Sequence, residues 1–598
     1  MKNRAVPFVQ ISLPGIISCD KIKLMNVDIT IKIAGEAGQG LQTMGQLLAK
    51  AFSRAGWCVF ANQVLQSRIR GGHNWFQIRI ADSPVPAHSD ATDILIALDD
   101  ESAYHTRELS KSSITILDSS LIKYNPQRGL ILDIPFEKTA KENGGNKLMG
   151  NAVALGAVLG ILEYDINILF GLLREGFQDK NPEVVQANIQ VAQAGYNLAC
   201  QKIKGNKFSP LNRTNGAAKM LINASEAVAL GALAAGCKFI SAYPMSPSTG
   251  IMTYLASKAK EFNLIVEQSE DEIASINMAL GASYAGVRAM TATSGGGFAL
   301  MVEGLSLSAM TETPIVIVDA QRPGPATGLP TRTAQEDLEY VIYSGGGESP
   351  RAVVAPLSIE DAFYLTFKAF NLADKYQIPV IILSDQLLAD SYVTVDSFDV
   401  ESLKIERHIL SDEQLKDIKD YKRYRLTESG ISPRALPGNP YGLVVADSDE
   451  HDEEGHITED VDWTRPEMVK KRNRKTTGLL KEMSAPIRYG PAEAKNILIG
   501  WGSSYGALKE AVDILNLEKE KVSLAHFNQV WPLNKEYFGF LDTAEFVCVA
   551  ENNFRGQFAH LITAQTGKVI PNRINKFNGL AFTAQEIVEE YKKLKCAF

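Results

Sequence analysis

The chain has 598 residues, which is too many for one hydrophobic core and predicts several domains. Its composition, with 45% hydrophobic and 22% charged residues and a net charge of -8, is that of an ordinary globular protein and disfavours nucleic-acid binding, which needs clustered Lys and Arg. A small, diffusible substrate is therefore the expected partner. The sequence has no uncharged apolar run of about 18 residues, so we predict no membrane span.

Residues 1–26 precede the first predicted strand. Two early basic residues and a short apolar stretch before Cys19 loosely resemble a lipoprotein signal, but Pro7 and Pro14 interrupt that stretch. We therefore favour a disordered N-terminal extension, or an early start codon with Met25 as the true beginning.

Residues 27–203 alternate short apolar runs with runs of helical period, which predicts a parallel sheet covered by helices in one α/β domain. Ile29–Ala34 is the first predicted strand, and the Gly35–Gly40 turn leads from it into a helix. The other predicted strands are Phe76–Ile80, Ile94–Leu98 and Ile114–Asp118, and the other predicted helices are Ala152–Leu162 and Val184–Ala199.

The Gly-rich turn is a candidate cofactor site. Backbone N–H groups at the start of a helix favour anions, so Gly38 and Gly40 are candidates for binding a nucleotide or CoA phosphate. The spacing is not G-x-G-x-x-G, and a tight turn in a subunit interface is the alternative. Arg68 and Arg70 precede the next strand, where an anion contact and an inter-subunit salt bridge are both open, and we expect His73 to be structural.

The rest of the chain divides into four segments. They are a linker at 204–216, a second α/β domain at 217–395, an irregular charged connector at 396–485 and a third α/β domain at 486–598. In the connector, His451 and His456 flank carboxylates, and we prefer a solvated loop to a metal site there. The predicted strands of the two domains are Phe239–Ala242, Met290–Thr293, Ile315–Asp319, Val380–Ser384, Asn496–Ile499 and Phe546–Ala550.

The segment Tyr243–Thr249, which reads Y-P-M-S-P-S-T, follows the first predicted strand of the second domain. Its two prolines fix φ, so three hydroxyl groups are presented on a stiff loop. Because parallel strands of α/β domains bind ligands at their carboxyl ends, a polar site is reasonable here. Ser, Pro and Thr also make ordinary turns, so the segment alone does not decide between the two.

Three further strand-end loops follow in order along the second domain. They are Val266–Ala274, an acidic segment before a helix of small residues; Thr293–Phe298, with three consecutive glycines; and Gln321–Arg332, rich in Pro and Gly. With Tyr243–Thr249, they give one domain four candidate ligand loops.

The order of these loops resembles the α subunit of the 2-oxoacid:ferredoxin oxidoreductases, whose pattern reads Y-P-I-T-P-S-T, E-D-E-I-A, S-G-G-G-F and G-P-S-T-G-L-P-T-R. The first domain is similar to that family's γ unit through Gly35–Gly40 and Arg70–Gly72. The resemblance spans about residues 27 to 595. It implies a multidomain α/β fold with a γ-type domain, a doubly wound domain of the thiamine diphosphate pyrimidine-binding type and a transketolase C-terminal-like domain.

The resemblance also implies roles for single residues. Glu270 is the implied carboxylic acid beside the cofactor pyrimidine, and such a group needs a buried, apolar setting to hold a proton near neutral pH. Arg332 is the implied partner of the substrate carboxylate, which a guanidinium group binds bidentately. The alternative for both is a surface charge, since Glu270 lies in an acidic run and Arg332 in a Pro/Gly-rich loop.

Other motif positions carry weaker implications. Ser246 stands where the family has threonine; it keeps the hydroxyl group and is implied to bind the substrate or the cofactor. Tyr243, Pro244 and Gly296 are implied cofactor contacts by their positions in the motifs. The second-tier candidates for binding the substrate are Thr331 and Arg322.

The cysteines are scattered singly, with no C-x-x-C pair for zinc or an iron–sulfur cluster, and fit reduced thiols in a cytoplasm. They are Cys19, Cys58, Cys200, Cys237, Cys548 and Cys596. In the family, the diphosphate site, its magnesium and the iron–sulfur cluster belong to a separate β subunit. We therefore expect no metal on this chain and a β subunit as its partner.

The implied reaction is the oxidative decarboxylation of a 2-oxoacid with CoA to an acyl-CoA and carbon dioxide, with electrons passing to ferredoxin. The fused γ and α units and the Asp449–Gly455 stretch most resemble 2-oxoglutarate enzymes, with pyruvate and branched-chain 2-oxoacids as alternatives. A non-catalytic scaffold that binds CoA or a nucleotide is the rival hypothesis from another class. Glu270 and Arg332 speak against it, because a scaffold requires neither.

Overall fold

The computed structural model describes residues 25–67, 71–124, 126–176, 181–203, 211 and 219–597. The predicted N-terminal extension and linker lie outside these residues, apart from residues 25, 26 and 211. Arg68 and Arg70 also lie outside them.

The first part of the chain is a mixed α/β unit. Its helices and strands are β1 (Asp28–Ala37), α1 (Leu41–Arg54), β2 (Cys58–Val64), β3 (Gly71–Ala81), β4 (Thr92–Ala97), a 3₁₀ helix (Asp100–Glu108), β5 (Leu109–Leu117), β6 (Leu130–Asp133), α2 (Phe136–Glu142), a 3₁₀ helix (Lys147–Met149), α3 (Gly150–Ile161), α4 (Asn167–Gly176) and α5 (Pro182–Lys202).

The second part alternates strands and helices more regularly. Its elements are β7 (Met220–Ile222), α6 (Ala224–Ala234), β8 (Cys237–Ala242), α7 (Thr249–Phe262), β9 (Ile265–Gln268), α8 (Glu272–Tyr284), β10 (Arg288–Thr293), α9 (Gly295–Met310), β11 (Ile315–Gln321), α10 (Leu338–Tyr343), β12 (Ala352–Val354), α11 (Ile359–Tyr376), β13 (Pro379–Asp385), α12 (Gln386–Asp390) and β14 (Tyr392–Val395).

The last part begins with long irregular stretches and ends in a third sheet. Its elements are α13 (Asp412–Lys416), α14 (Thr464–Glu482), β15 (Ile487–Tyr489), β16 (Asn496–Trp501), a 3₁₀ helix (Gly502–Ser504), α15 (Tyr505–Leu517), β17 (Val522–Phe527), β18 (Gln529–Trp531), a 3₁₀ helix (Lys535–Asp542), β19 (Phe546–Glu551), α16 (Gln557–Thr566), β20 (Asn572–Asn575) and α17 (Ala584–Ala597).

The first sheet has eight strands in the order β6-β5-β4-β1-β3-β2-β14-β7. The prediction of a parallel sheet is only partly right, because β3 pairs antiparallel with both β1 and β2. The physical reason is the connection between β2 and β3, which is too short for the crossover that parallel neighbours need. On β1, Ile31 and Ile33 pack into the helical core, whereas Lys32 faces the opposite, polar side of the sheet.

The second sheet has seven strands in the order β18-β12-β13-β11-β10-β8-β9. All neighbours are parallel except β12 and β18, so the predicted parallel α/β architecture is confirmed here. Its central strands are buried on both faces, which explains why each reads as a short continuous apolar run. The third sheet has five strands in the order β15-β17-β16-β19-β20.

Sheet membership crosses the predicted domain divisions at two places. β14, from the end of the predicted second domain, completes the first sheet, and β18, from the predicted third domain, adds to the second sheet. In the segment expected to be irregular, α14 forms a regular helix. Its charged residues Lys471 and Lys475 are buried rather than solvated. A buried helix face is recognised in a sequence by the spacing of apolar residues, so these lysines did not indicate one. The predicted divisions themselves stay predictions.

Within the described residues, the helices are too short or too polar to cross a membrane. In the same residues, no three His, Cys, Asp or Glu side chains group so that they could hold a metal ion.

Candidate active site

The four loops singled out from the sequence meet at one edge of the second sheet. Strands β8, β9, β10 and β11 are neighbours in that sheet and run parallel, so the segments that follow them leave from the same edge. This arrangement brings together Tyr243–Thr249, the start of α8, the start of α9 and the long loop after β11.

The Tyr243–Thr249 loop presents polar groups on a fixed backbone. Ser246 is exposed and Ser248 is buried, with the Ser248 hydroxyl donating to the Met245 carbonyl over 2.8 Å. From the loop after β11, Arg322 Nη1 donates to the Ser246 carbonyl over 2.7 Å. Arg322 therefore holds this loop in place, and its predicted substrate contact stays a prediction.

The acidic segment that follows β9 contains two differently placed glutamates. Glu270 is exposed, so in this chain it lacks the buried, apolar setting expected of it. Glu272 is 3% exposed and has no hydrogen-bond partner for Oε1 among the described residues. Burial raises the pKa of the Glu272 carboxyl, a hydrogen bond from the backbone of Glu272 itself opposes the shift, and the charge of Asp271 adds to it. Glu272, and not Glu270, is therefore the buried carboxyl of this segment.

The start of α9 is shaped by its glycines. A Cβ atom on Gly297 would lie 2.5 Å from Oε1 of Glu272, so only glycine leaves room for that carboxyl. A Cβ atom on Gly295 would meet the carboxylate of Asp337 at 2.5 Å. Gly296, the predicted cofactor contact, is exposed between them. The glycines thus let two acidic side chains approach the helix start.

Two buried carboxyl groups behind these loops carry no sequence signal. Asp319 is fully buried on β11 without a hydrogen-bond partner among the described residues. Burial raises the pKa of Asp319, and the nearby Asp337 raises it further. Burial also raises the pKa of Asp337 to about 7, while the charge of Arg322 opposes both shifts. Asp319 was predicted only as the end of an apolar strand.

Arg332 and Thr331 line a cavity of about 250 Å³ where the three sheets meet. Arg332 is half-buried, its Nη1 has no partner among the described residues, and its guanidinium lies 5.8 Å from the ring centroid of Trp75. Burial lowers the pKa of this guanidinium. The Thr331 hydroxyl donates to the Leu65 carbonyl over 2.6 Å, which ties the loop to the first sheet. Arg332 is the group left free to bind an anion.

The Gly35–Gly40 turn is built as a tight turn. Gln39 closes it with its side chain, whose Oε1 accepts from Glu36 N over 2.7 Å, and Asn151 Nδ2 donates to the Gln39 carbonyl over 2.8 Å. Gly38 and Gly40 have φ values of 95° and 80°, which favour glycine. Among the described residues, no hydrogen bond or cavity joins these glycines to the loops of the second sheet. Their predicted phosphate contact stays a prediction.

Comparison with known proteins places this geometry in a family. Residues 30–198 match the family model described as pyruvate ferredoxin/flavodoxin oxidoreductase, and residues 230–471 match the model of its thiamine diphosphate-binding part. A 2-oxoacid:ferredoxin oxidoreductase subunit alpha from Sulfolobus sp is 31% identical over 94% of this chain and 96% of that protein. This chain belongs to the 2-oxoacid:ferredoxin oxidoreductase α-subunit family.

Two further relatives cover nearly the whole chain. The 2-oxoglutarate oxidoreductase subunit KorA of Mycobacterium tuberculosis is 31% identical over 95% of this chain and 91% of its own. The solved structure of 2-oxoglutarate:ferredoxin oxidoreductase from Magnetococcus marinus is 34% identical, with a TM-score of 0.89 over 95% of this chain and 99% of that chain. The family and the multidomain α/β fold predicted from the sequence are thus confirmed. As a family member, the chain is an oxidoreductase subunit.

Proposed function

We propose that this chain binds the pyrimidine part of thiamine diphosphate and the 2-oxoacid, in an enzyme that converts 2-oxoglutarate and CoA to succinyl-CoA and carbon dioxide. The observation that carries the proposal is the buried carboxyl of Glu272, whose Oε1 has no partner among the described residues and faces Gly297 at the start of α9. 2-Oxoglutarate is preferred over pyruvate because relatives of nearly full coverage are named for it.

The residues at the sheet edge fit this cofactor. A carboxyl with one unpaired oxygen and a raised pKa can keep a proton and donate it to a ring nitrogen, and the lack of a side chain at Gly297 leaves space beside Glu272 Oε1. Glu272, the Tyr243–Thr249 loop and Gly296 would hold the pyrimidine ring. When bound, the cofactor supplies the nucleophilic carbon and the electron sink for decarboxylation.

The remaining roles belong to residues of this chain. Arg332 binds the carboxylate of the 2-oxoacid through its guanidinium, whose Nη1 has no partner among the described residues. Arg322 keeps the Ser246 carbonyl fixed, so that the loop does not rearrange when ligands enter. Ser246, exposed on that loop, offers its hydroxyl group to a ligand.

A β subunit completes the proposed enzyme with the diphosphate site, magnesium and an iron–sulfur cluster that passes electrons to ferredoxin. The relatives named as alpha subunits support a partner of this kind. Large apolar side chains are exposed around the candidate site and would be covered by such a partner. They are Tyr243, Ile265, Ile273, Leu300 and Leu329.

The test is to co-express the chain with its partner subunit and to follow viologen reduction with 2-oxoglutarate, pyruvate or a branched-chain 2-oxoacid, each with and without CoA. We expect reduction that requires CoA and is fastest with 2-oxoglutarate. Arg332→Met should raise the KM for the 2-oxoacid by about 10-fold to 100-fold, because a charge-assisted bidentate contact is lost. Absence of reduction with every 2-oxoacid would leave the scaffold hypothesis in its place.

A further inference from the structure

The cavity that contains Arg332 also holds a glutamate that no sequence motif indicated. Glu108 ends the 3₁₀ helix Asp100–Glu108 of the first unit and lines this cavity together with Arg332. Its side chain is 34% exposed. Since Glu108 is a wall residue of the cavity, a ligand that enters the cavity can reach this carboxylate.

Two buried side chains hold one oxygen of the Glu108 carboxylate. Lys32 Nζ donates to Oε2, and Nδ1 of His105 lies 2.9 Å from the same oxygen. Burial alone would raise the pKa of Glu108, but the charge of Lys32 and the hydrogen bond to His105 lower it to about 2. Glu108 is therefore an anion at any pH used in an assay.

The orientation of His105 is fixed by its neighbours. Its Nε2 lies 2.8 Å from Nε2 of His73, and its ring meets Trp75 edge-on with 5.1 Å between the ring centroids. Trp75 also lies beside Arg332, so one tryptophan contacts both the Arg332 guanidinium and the His105 ring that holds Glu108. Packed rings of this kind hold a side chain more rigidly than a loop does.

The second oxygen of Glu108 is the one left for a ligand. Both described hydrogen bonds of the carboxylate end on Oε2, and none from the described residues reaches Oε1. A fixed anionic acceptor recognises a ligand that brings an N–H, O–H or S–H donor. Of the two substrates of the proposed function, an ionised 2-oxoacid brings only acceptors, whereas CoA brings amide, hydroxyl and thiol donors.

We propose that Glu108 accepts a hydrogen bond from the pantetheine arm of CoA, and that Lys32 and His105 are the positioning residues that hold it for this contact. The assignment rests on the proposed function and adds to it the residue that distinguishes CoA from the 2-oxoacid within one cavity. In this cavity Arg332 then binds the carboxylate of the 2-oxoacid, and Glu108 accepts a hydrogen bond from a donor group of CoA.

The first experiment uses the co-expressed complex and the variant Glu108→Gln. We expect the KM for CoA to rise about tenfold or more, because a hydrogen bond to a charged acceptor is weakened, while the KM for the 2-oxoacid and kcat at saturating CoA stay within about twofold. The matched control is Glu586→Gln, a glutamate of the same cavity whose two oxygens already bind Lys576 and Thr583, and it should leave the KM for CoA unchanged.

The second experiment tests the positioning role. His105→Asn keeps a donor near the position of Nδ1 and should keep the KM for CoA, whereas His105→Leu removes the donor and should raise it. The effect of Glu108→Gln should not vary between pH 6 and 9, because the carboxylate stays ionised. An unchanged KM for CoA in an active Glu108→Gln complex would overturn the assignment alone, and a wild-type complex without CoA-dependent reduction would overturn the proposed function instead.

Discussion

Two buried glutamates contact opposite ends of helix α9, and the pKa values of their carboxyl groups shift in opposite directions. Glu272 packs against Gly297 in the first turn, without a charged partner, and burial raises its pKa. Glu312 follows the last turn, where Lys471 and Lys475 both bind it, and their charges lower its pKa in spite of burial. A buried carboxyl without a partner is poised to exchange a proton, whereas a paired one fixes the fold.

The ion pairs of Glu312 with Lys471 and Lys475 hold the segment between the second and third sheets in place. Lys471 and Lys475 come from α14, are 0% and 1% exposed, and reach across to Glu312, with Lys475 at 2.5 Å. Arg423 from the same segment donates to the Glu312 carbonyl over 2.9 Å. The far end of α9 is thus anchored to α14, and the near end carries the candidate site.

The largest effect on activity should come from replacing Glu272, beside the start of α9. Glu272→Gln removes the ionisable carboxyl at the sheet edge but keeps its size. We expect turnover of the complex to fall by about 10²-fold to 10⁴-fold, the range for loss of an acid–base group. The thermal-unfolding midpoint should change little, since no described side chain depends on Glu272 for pairing. Full turnover in Glu272→Gln would remove Glu272 from the mechanism.

Replacing Glu312, which Lys471 and Lys475 bind at the end of α9, should affect stability instead. At pH 6, below the lowered pKa of Lys471, Glu312→Gln leaves buried ammonium charge without its carboxylate and should lower the free energy of unfolding by about 3–5 kcal/mol. Denaturant unfolding of the complex measures this loss, while the activity per folded molecule should stay near the wild-type value. The matched control adds Lys471→Met and Lys475→Met to the same variant, which removes the unpaired charges. A failure of that control to recover stability would contradict the charge argument.

Part of the second sheet and the position of the candidate site were predictable from the sequence. Strands β8, β10, β11 and β13 of the second sheet were predictable because buried parallel strands read as apolar runs, and family motifs located the four loops. The choice between Glu270 and Glu272 depended on where α8 begins. Asp271 caps that helix through a 2.6 Å bond from Ala274 N, which puts Glu272 in the first turn.

A signal for Glu272 was present in the sequence. Ile276, Ala279 and Ser283 follow it at helical spacing, and all three are buried on the same face of α8. No comparable signal marks Lys471 and Lys475, because charged residues on a helix normally face water and their partner Glu312 lies about 160 positions earlier, a distance that no local pattern spans. Long-range ion pairs and the cavity wall at Glu108 therefore had to come from the structure.

A smaller effect is expected on the pH dependence of the free energy of unfolding, through Lys471 beside Glu312. Burial lowers the pKa of Lys471 from 10.5 to about 7, although the charge of Glu312 opposes this. Between about pH 7 and 10 the unfolded chain binds a proton there that the folded chain does not, so the free energy of unfolding should rise with pH. The slope is at most about 1.4 kcal/mol per pH unit.

Thermal unfolding at pH 7.0, 8.0 and 9.0 measures this slope. Lys471→Met should flatten it, because the titrating group is gone. Lys470→Met is the matched control on the same helix, since the Lys470 side chain is 66% exposed and bound only at the surface to Glu467. An equal slope in wild type and Lys471→Met would place the pH dependence elsewhere.

The smallest effect is expected at Glu270, and it decides between the two glutamates of the acidic segment. Glu270→Gln makes the same substitution on an exposed side chain two positions from Glu272, without touching the buried carboxyl. We expect turnover and KM values within about twofold of wild type, as for most surface substitutions. If instead Glu270→Gln abolishes turnover while Glu272→Gln does not, the partner subunit must bury Glu270, and the family-motif assignment of Glu270 is the right one. Parallel kinetics of the two variants in the same complex separate these cases, because the substitution is the same and only its position differs.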